Sequence, residues 1–207
     1  MNPIATTLFD RHQNTDVAAT VRFRLTDAEV LAVEAVWGPV RRAAVQRLVQ
    51  SGYPLHQVPQ HWHWDWGRKV PKLALPAYTG VGLEVGGDCQ GLMLLALVGH
   101  DARLPADLGR PLVYVDYVET APWNLDPLDP NPRYAGVGKR LLTAAVQVSA
   151  DEGFGGLIGL HSLPQAEGFY DQRCRLVRVG PDPFYGGLEY FESTRQRAQE
   201  ILTGGAI

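Results

Sequence analysis

The sequence predicts an α/β protein in which helices pack on a mixed β-sheet. A run of β-branched and aromatic residues, Pro111–Glu119, is typical of a strand. After it, apolar residues recur at helical spacing from Val137 until Gly153, a suitable C-cap glycine, and a second strand-like run follows. Two further apolar runs between residues 78 and 98 are joined by Gly86-Gly87-Asp88, as in a hairpin. The sequence therefore favours an α/β sandwich over a Rossmann fold.

The residues before the hairpin predict a strand followed by two helices. Ala18–Leu25 alternates in the manner of a strand, and Thr26 with Glu29 forms a capping box that starts a helix. Gly38-Pro39 interrupts the helical pattern, and Pro39 suits the first position of a second helix that runs to about residue 50. Residues 57 to 72 are irregular, aromatic and rich in histidine.

The residues after the second strand-like run, Gly156–Ser162, complete one predicted domain. A short helix is expected over Gln165–Gln172, followed by strands near Leu176–Val179 and Leu188–Phe191 and a polar helix from about Ser193 to Leu202. The single domain then spans residues 1–207. It comprises an N-terminal part (1–76), a core (77–192) and a C-terminal helix (193–207).

Composition and charge narrow the class of protein. The formal net charge of −3 argues against general nucleic-acid affinity. Two cysteines make a disulfide framework unexpected and fit a reducing compartment. The sequence shows neither a signal-peptide pattern nor an apolar stretch of membrane-spanning length. The expectation is a cytoplasmic protein without a membrane partner.

A glycine-containing turn, Arg133–Gly138, lies where a loop becomes a helix. The first N–H groups of a helix have no partner within it, and glycine lets an anion approach them closely. Arg133, Lys139 and Arg140 add three cations. The spacing is neither that of a P-loop nor that of a dinucleotide fingerprint. The alternative is a tight turn before an ordinary helix.

A second segment, Ala166–Tyr170, joins this turn in a resemblance to the GNAT acetyltransferases. In that family an Arg/Gln-x-x-Gly-x-Gly/Ala turn binds the CoA pyrophosphate, and a later tyrosine, four residues after alanine, lies beside the cofactor sulfur. The resemblance covers roughly residues 78 to 192. It implies a GNAT-type three-layer α/β/α sandwich, whose mixed, mostly antiparallel sheet is splayed at the central parallel pair, and acetyl-CoA as co-substrate.

The resemblance also implies which residues bind the cofactor. They lie at the end of the central strand and in the turn with the start of its helix: Val118, Thr120, Arg133, Tyr134, Ala135, Gly136, Val137, Gly138, Lys139 and Arg140.

Three departures from the family pattern affect the site. Residues Trp123–Pro132 are inserted before the turn and suggest a specialised substrate loop. Leu163 stands where many members have asparagine, and Cys174-Arg175 stands where Gly-Phe is usual. The last two departures concern the pocket for the thiol end of the cofactor.

Acetyl transfer to an amine needs a base for the amine and an acid for the departing thiolate. By the resemblance, Tyr170 is the candidate acid; the alternative is that Phe169-Tyr170 packs a short helix. Glu119 and Asp116, carboxylates among apolar residues on one strand, are candidate bases. An ion pair or a capping contact is the alternative for each. His161 is a third candidate, or a structural histidine.

The segment His61–Trp66 contains two histidines, an aspartate and three tryptophans. A zinc site is disfavoured because no fourth ligand is evident, so no metal is expected. The segment either lines a pocket for an apolar or aromatic acceptor or packs into the core.

The predicted function is acetyl-CoA-dependent N-acetyl transfer to a primary amine, by direct attack in a ternary complex. The acceptor is a small molecule or a peptide, and its identity is open, as is the oligomeric state, with a homodimer as one option. The alternative is a CoA-binding module that has lost catalysis and works as a sensor or an interaction domain. A third option is action on aminoacyl-tRNA or on a protein; the acidic balance argues against RNA unless Arg41, Arg42 and Arg47 form a local basic patch. Those arginines fit a solvated helix face better.

Overall fold

The structure, a computed structural model, describes residues 1–204. Its α-helices are α1 (Asp27–Gln50), α2 (Val70–Leu73), α3 (Val137–Asp151) and α4 (Arg195–Leu202). Its strands are β1 (Ile4–Asp10), β2 (Thr15–Phe23), β3 (Tyr78–Val85), β4 (Asp88–Ala96), β5 (Val113–Thr120), β6 (Tyr134–Ala135), β7 (Ile158–Ser162), β8 (Val177–Asp182) and β9 (Leu188–Glu192). Turns of 3-10 helix occupy Leu55–Gln57, Trp66–Arg68, Pro122–Asn124, Pro164–Ala166 and Pro183–Tyr185, and a π-helix occupies Phe169–Arg173.

Over residues 1–204 the strands form one mixed sheet in the order β6-β1-β2-β3-β4-β5-β7-β9-β8. β5 and β7 run parallel, while β1 with β2 and β6, β2 with β3, and β9 with β7 and β8 run antiparallel. The parallel register covers Val113 with Ile158 and Tyr114 with Gly159, although β5 continues to Thr120. β5 and β7 therefore separate after their first residues, and the predicted mixed sheet with a splayed parallel pair is confirmed.

The chain divides into two compact units. Residues 1–76, 80–92 and 119–138 form the first, and residues 77–79, 93–118 and 139–204 belong to the second. In the first unit, buried residues of α1 pack with apolar residues that follow them in sequence: Ala44, Val45, Leu48, Val58 and Leu128. In the second, another apolar cluster comprises Ala96, Ala102, Leu112, Tyr114, Leu157 and Tyr190.

The longest helix, α1, corrects the prediction of two helices. Thr26 and Glu29 form the expected capping box, but the helix continues through Pro39. A proline inside a helix removes one hydrogen bond and costs roughly 3 kcal/mol. The helix continues because its buried side chains recur on both sides of the proline, with Trp37 before it and Arg41, Ala44 and Leu48 after it. Packing of this face outweighs the local cost.

The strand β1 was not predicted from the sequence. Within it only Leu8 and Asp10 are buried, while the apolar Ile4 and Phe9 are each 40% exposed, so no alternation of apolar residues marks it. The predicted first strand, Ala18–Leu25, corresponds to β2. The turn at Gly86-Gly87 is confirmed, since both residues have positive φ (60° and 90°).

In the second unit, α3 ends at Asp151, and Gly153 with φ 83° takes the predicted C-cap conformation. The prediction of a single short helix over Gln165–Gln172 is wrong in the type of helix. The chain instead makes a 3-10 turn and then the wider π-helix, in which the Cys174 N–H donates to the Phe169 carbonyl. α4 starts at Arg195 because the Thr194 side chain caps it. Of the predicted C-terminal part, residues 205–207 lie outside the described residues.

None of the helices over residues 1–204 combines the length and the apolar character that crossing a membrane requires.

Candidate functional site

The glycine turn joins the short strand β6 to the 15-residue helix α3. Gly136 has φ 91°, a conformation that favours glycine. A Cβ at this position would lie 3.8 Å from the Leu8 side chain, which is ordinary contact. The backbone conformation, rather than lack of space, therefore requires glycine here. Gly138 lies in the first turn of α3, where N–H groups have no intrahelical partner.

Arg133, the first residue of the turn, is tied to β1. Its Nε and Nη2 atoms lie 3.0 and 2.9 Å from Oδ2 of the buried Asp10, and its guanidinium lies 4.8 Å from the centre of the Tyr134 ring. Burial would raise the pKa of Asp10, but the hydrogen bonds from Arg133 and from backbone N–H groups lower it. The side chain of Arg133 is still 43% exposed. Arg133 therefore stabilises the turn, and part of its side chain stays exposed to solvent.

The inserted segment Trp123–Pro132 is anchored by side chains. The side-chain amide of Asn124 donates to Oε1 of Gln90 (2.9 Å) and accepts a hydrogen bond from the Tyr134 N–H (2.9 Å). Trp123 donates to the same Gln90 oxygen, and Arg47 donates to the Leu128 carbonyl (2.6 Å). Asn124 thus connects β4, the insertion and the start of the glycine turn.

Glu119, a predicted base, is buried in the first unit with both carboxylate oxygens occupied. Oε1 accepts from Nη1 of Arg41 (2.7 Å), and Oε2 accepts from Nε1 of Trp66 (2.6 Å). The side chain is 1% exposed. Burial raises the pKa of Glu119 to about 7, although Arg41 and Trp66 act in the opposite direction. Such a carboxyl can exchange a proton near neutral pH.

Arg41 also contacts Glu34 and the Trp64 carbonyl, and it is buried. The expectation that Arg41 belongs to a solvated helix face is therefore wrong, whereas Arg42 and Arg47 are exposed. The expectation failed because the partner of Arg41, Glu119, lies 78 positions further along the chain. No local pattern in the sequence predicts this ion pair.

The aromatic segment His61–Trp66 lies against Glu119. Nε2 of His61 is 4.0 Å from Oε1 of Glu119, and this buried atom has no hydrogen-bond partner among residues 1–204. Burial, with the charge of Arg41, lowers the pKa of His61 to about 4, so the ring is neutral at pH 7. Trp66 is buried and Trp62 is 45% exposed. In the described part of the chain, no group of three or more His, Cys, Asp or Glu side chains could hold a metal ion.

The remaining predicted site residues fall in different places. Thr120 ends β5 in the first unit, whereas Asp116 and Val118 lie on the part of β5 in the second unit and are half-buried. The charge of Asp116 contributes, after burial, to raising the pKa of Tyr114. Lys139 is half-buried and Arg140 is exposed in the first turns of α3.

Tyr170 lies in the π-helix and is buried. Its ring centre is 5.2 Å from that of Phe169 and 5.9 Å from that of Phe191. Burial raises its pKa above the ordinary value. The phenol therefore keeps its proton at neutral pH, as a proton donor must.

His161 lies in a buried network that the sequence does not indicate. Its Nδ1 is 2.8 Å from the Tyr114 hydroxyl and its Nε2 is 3.1 Å from Oδ2 of Asp182. Its ring stacks on Tyr185 at 3.7 Å. Both nitrogens are bonded and burial lowers its pKa, which agrees with the structural alternative. Its partners come from separate strands, so no spacing in the sequence marks them.

Comparison with solved structures identifies the fold. The PaiA N-acetyltransferase of Thermoplasma acidophilum in complex with coenzyme A superposes with a TM-score of 0.52 at 10% identity, over 84% of this chain and 98% of that one. The fold is that of the GNAT N-acetyltransferases. The GNAT domain of S. lividans PAT gives a TM-score of 0.53 at 14% identity, over 92% and 95% of the two chains.

The aminoglycoside acetyltransferase AAC(6')-Ib, in complex with coenzyme A and kanamycin, also has this fold. Its TM-score is 0.52 at 17% identity, over 88% of this chain and 98% of that one. No protein-family model matches the sequence, and no curated protein has a significantly similar sequence. The resemblance to the GNAT fold is thus confirmed by structure, at identities that show the fold alone.

Proposed function

We propose that this protein is an acetyl-CoA-dependent N-acetyltransferase that acts on a primary amine. The observation that carries the proposal is the junction of β6 and α3, where Gly136 takes a positive φ directly before a helix of 15 residues. An anion is stabilised at such a terminus by free N–H groups and by the helix dipole. The residues fit the CoA pyrophosphate: Lys139 and Arg140 add positive charge next to the turn, and Arg133, although paired with Asp10, keeps an exposed part of its side chain.

The reaction we propose is direct attack of the amine on the thioester carbonyl. A carbon–nitrogen bond forms, the carbon–sulfur bond breaks, and the products are an amide and free CoA. The amine loses one proton and the thiolate gains one. Tyr170 is the proposed donor to the thiolate, because its buried phenol is protonated at neutral pH.

Glu119 is our proposed base, in preference to Asp116. A base works best when its pKa is close to the operating pH. The pKa of Glu119 is about 7, and its neighbour His61 is neutral. The acceptor is a small molecule or a peptide. The proposed reaction requires only that the acceptor offer an amine that can attack the thioester once one of its protons has been removed.

A specific observation favours the second candidate, a CoA-binding sensor or interaction module without catalysis. Both oxygens of Glu119 already accept hydrogen bonds, and its side chain is 1% exposed. This arrangement is also that of a structural ion pair. In that case the glycine turn would still bind CoA, whereas the carboxylate of Glu119 would only hold α1 and the aromatic segment together.

Release of free CoA thiol from acetyl-CoA, measured with a panel of primary amines, separates the two functions. The acetyltransferase should release thiol in proportion to the acetylated amine, and Tyr170→Phe should lower kcat by roughly 10- to 1000-fold. The ring and its contacts with Phe169 and Phe191 remain in this variant, so folding and CoA affinity should be unchanged. CoA binding without thiol release for any amine would favour the sensor.

A further inference from the structure

A groove in the first unit lies beside the amino-terminal half of α1 and the turn between β3 and β4. Its volume is about 360 Å³, which is within the usual range for small-molecule sites. Its lining residues include neither Glu119 nor any residue of the glycine turn. The groove is therefore a second candidate binding site, separate from the glycine turn and from Glu119, although it includes Trp123 of the inserted segment.

The walls of the groove are apolar and partly aromatic. The rings of Trp37 and Trp123 pack edge to face, with centres 6.3 Å apart and planes at 86°. Val33 and Val36 of α1 extend this surface, and Val36 is 55% exposed. A ligand that covers these side chains removes apolar area from water, which favours an apolar body.

The remaining lining residues give the groove an excess of negative charge. The lining contains three acidic residues, Glu29, Glu84 and Asp88, and one basic residue, Arg22. Arg22 is already engaged, because its Nη2 lies 2.6 Å from Glu29 and its Nη1 lies 3.4 Å from Glu84. Glu29 also closes the capping box with Thr26. Among residues 1–204, Arg22 is the only basic residue in the lining of the groove, so the end formed by the turn carries Asp88 and no cation.

We propose that this groove binds a small amphiphilic cation, namely a primary ammonium on an aromatic or aliphatic body. The body packs on Trp37, Trp123 and Val36, and the ammonium lies near the carboxylates of Glu84 and Asp88. A neutral molecule of the same shape gains only the apolar contact, and an anion is repelled. The inference goes beyond the proposed function, because binding in the groove requires neither acetyl-CoA nor transfer.

The test uses three probes of similar size that differ in charge: 2-phenylethylamine, 2-phenylethanol and 3-phenylpropionate. Each is titrated into the full-length protein without CoA and followed by amide and indole N–H chemical shifts. The amine should shift the Trp123 indole and the amides of residues 82–89, and it should bind about fivefold or more tightly than the alcohol at low salt. The preference should shrink at high salt, because the groove is open to solvent. The carboxylate should not bind.

Two variants locate the interaction. Glu84→Gln with Asp88→Asn should remove the preference for the amine, and Ala32→Arg should remove binding by placing a cation on the exposed edge of the groove. A matched control, Asp16→Asn with Glu152→Gln, changes the net charge equally at exposed positions outside the groove and should leave the affinity unchanged. The proposal is overturned if the alcohol binds as tightly as the amine, if no probe binds, or if the shifts centre on other residues. It is equally overturned if the groove and control variants lose affinity alike.

Discussion

At the scale of single residues, Arg41 links three parts of the first unit. It contacts Glu34 on its own helix, the Trp64 carbonyl and Glu119. Removing one partner of a buried ion pair leaves the other charge uncompensated, which typically costs about 3–5 kcal/mol. Arg41→Met should therefore lower the free energy of unfolding by about that amount in denaturant titrations above pH 7, where Glu119 is ionised.

The neighbouring Arg42→Met is the control for this change, because Arg42 is exposed. Its effect should stay within about 0.5 kcal/mol, as is usual for surface substitutions. Equal and small losses in the two variants would contradict the central position that the structure gives Arg41.

His61 should make stability depend on pH. Its pKa in the folded protein is about 4, below the ordinary value of 6.5. As the pH falls from about 6.5 to 4 the unfolded chain takes up a proton there while the folded protein does not, so stability is lost. His61→Phe removes this loss. Relative to the wild type, the variant should gain up to about 3 kcal/mol between pH 7 and pH 4.

The pKa of Glu119 is shifted in the opposite direction to that of His61, so the two residues have opposite effects on the pH dependence of stability. Its pKa is raised to about 7, so the folded protein holds a proton that the unfolded chain has lost between about pH 4.5 and 7. Its contribution to stability therefore falls as the pH rises through this range. With His61 replaced, this fall is no longer offset. An unchanged pH profile of unfolding in His61→Phe would show that His61 is not held neutral.

At the scale of elements, α1 shows how packing outweighs a local signal. Pro39 is exposed and lies inside a helix that continues to Gln50. Pro39→Ala restores a backbone donor without changing a buried contact. The melting temperature should rise, by an amount that corresponds to about 1–3 kcal/mol. A fall would mean that the helix depends on the bend or rigidity that proline provides.

Elements with a local signal were predictable, and those with a distant cause were not. The capping box at Thr26, the glycine turn of the β3–β4 hairpin and the C-cap at Gly153 each depend on a few neighbouring residues, and all three are confirmed. β1 carries few buried apolar residues, and the continuity of α1 depends on residues buried on both sides of Pro39. These features follow from tertiary packing, which local patterns do not contain.

The candidate site was predictable to a similar extent. The position of the glycine turn before a helix follows from Gly136 and from the spacing in α3, and both agree with the structure. The partners of the site residues do not follow from the sequence. Asp10 pairs with Arg133, which is 123 positions away in the sequence, and Trp66 donates a hydrogen bond to Glu119, which is 53 positions away. Long-range ion pairs and hydrogen bonds of this kind leave no periodic pattern in the sequence.

At the scale of the whole molecule, the GNAT fold and the glycine turn lead to one central proposal, that the protein binds CoA through residues 136–138. The proposal holds for both the enzyme and the sensor, so it comes before any question about the acceptor. A net charge of −3 gives no general attraction for a polyanion. Binding of CoA would therefore depend on a specific site.

The most direct test is calorimetric titration of CoA into the wild type, Gly138→Asp and the control Gln46→Glu, which adds the same charge on the exposed surface of α1. Wild type and control should bind CoA with equal affinity. Gly138→Asp should weaken binding by at least about tenfold, because a carboxylate in the first turn of α3 repels the pyrophosphate and obstructs access to the backbone N–H groups of that turn. A folded Gly138→Asp that binds CoA as tightly as the wild type, or a wild type that does not bind CoA, would contradict the account.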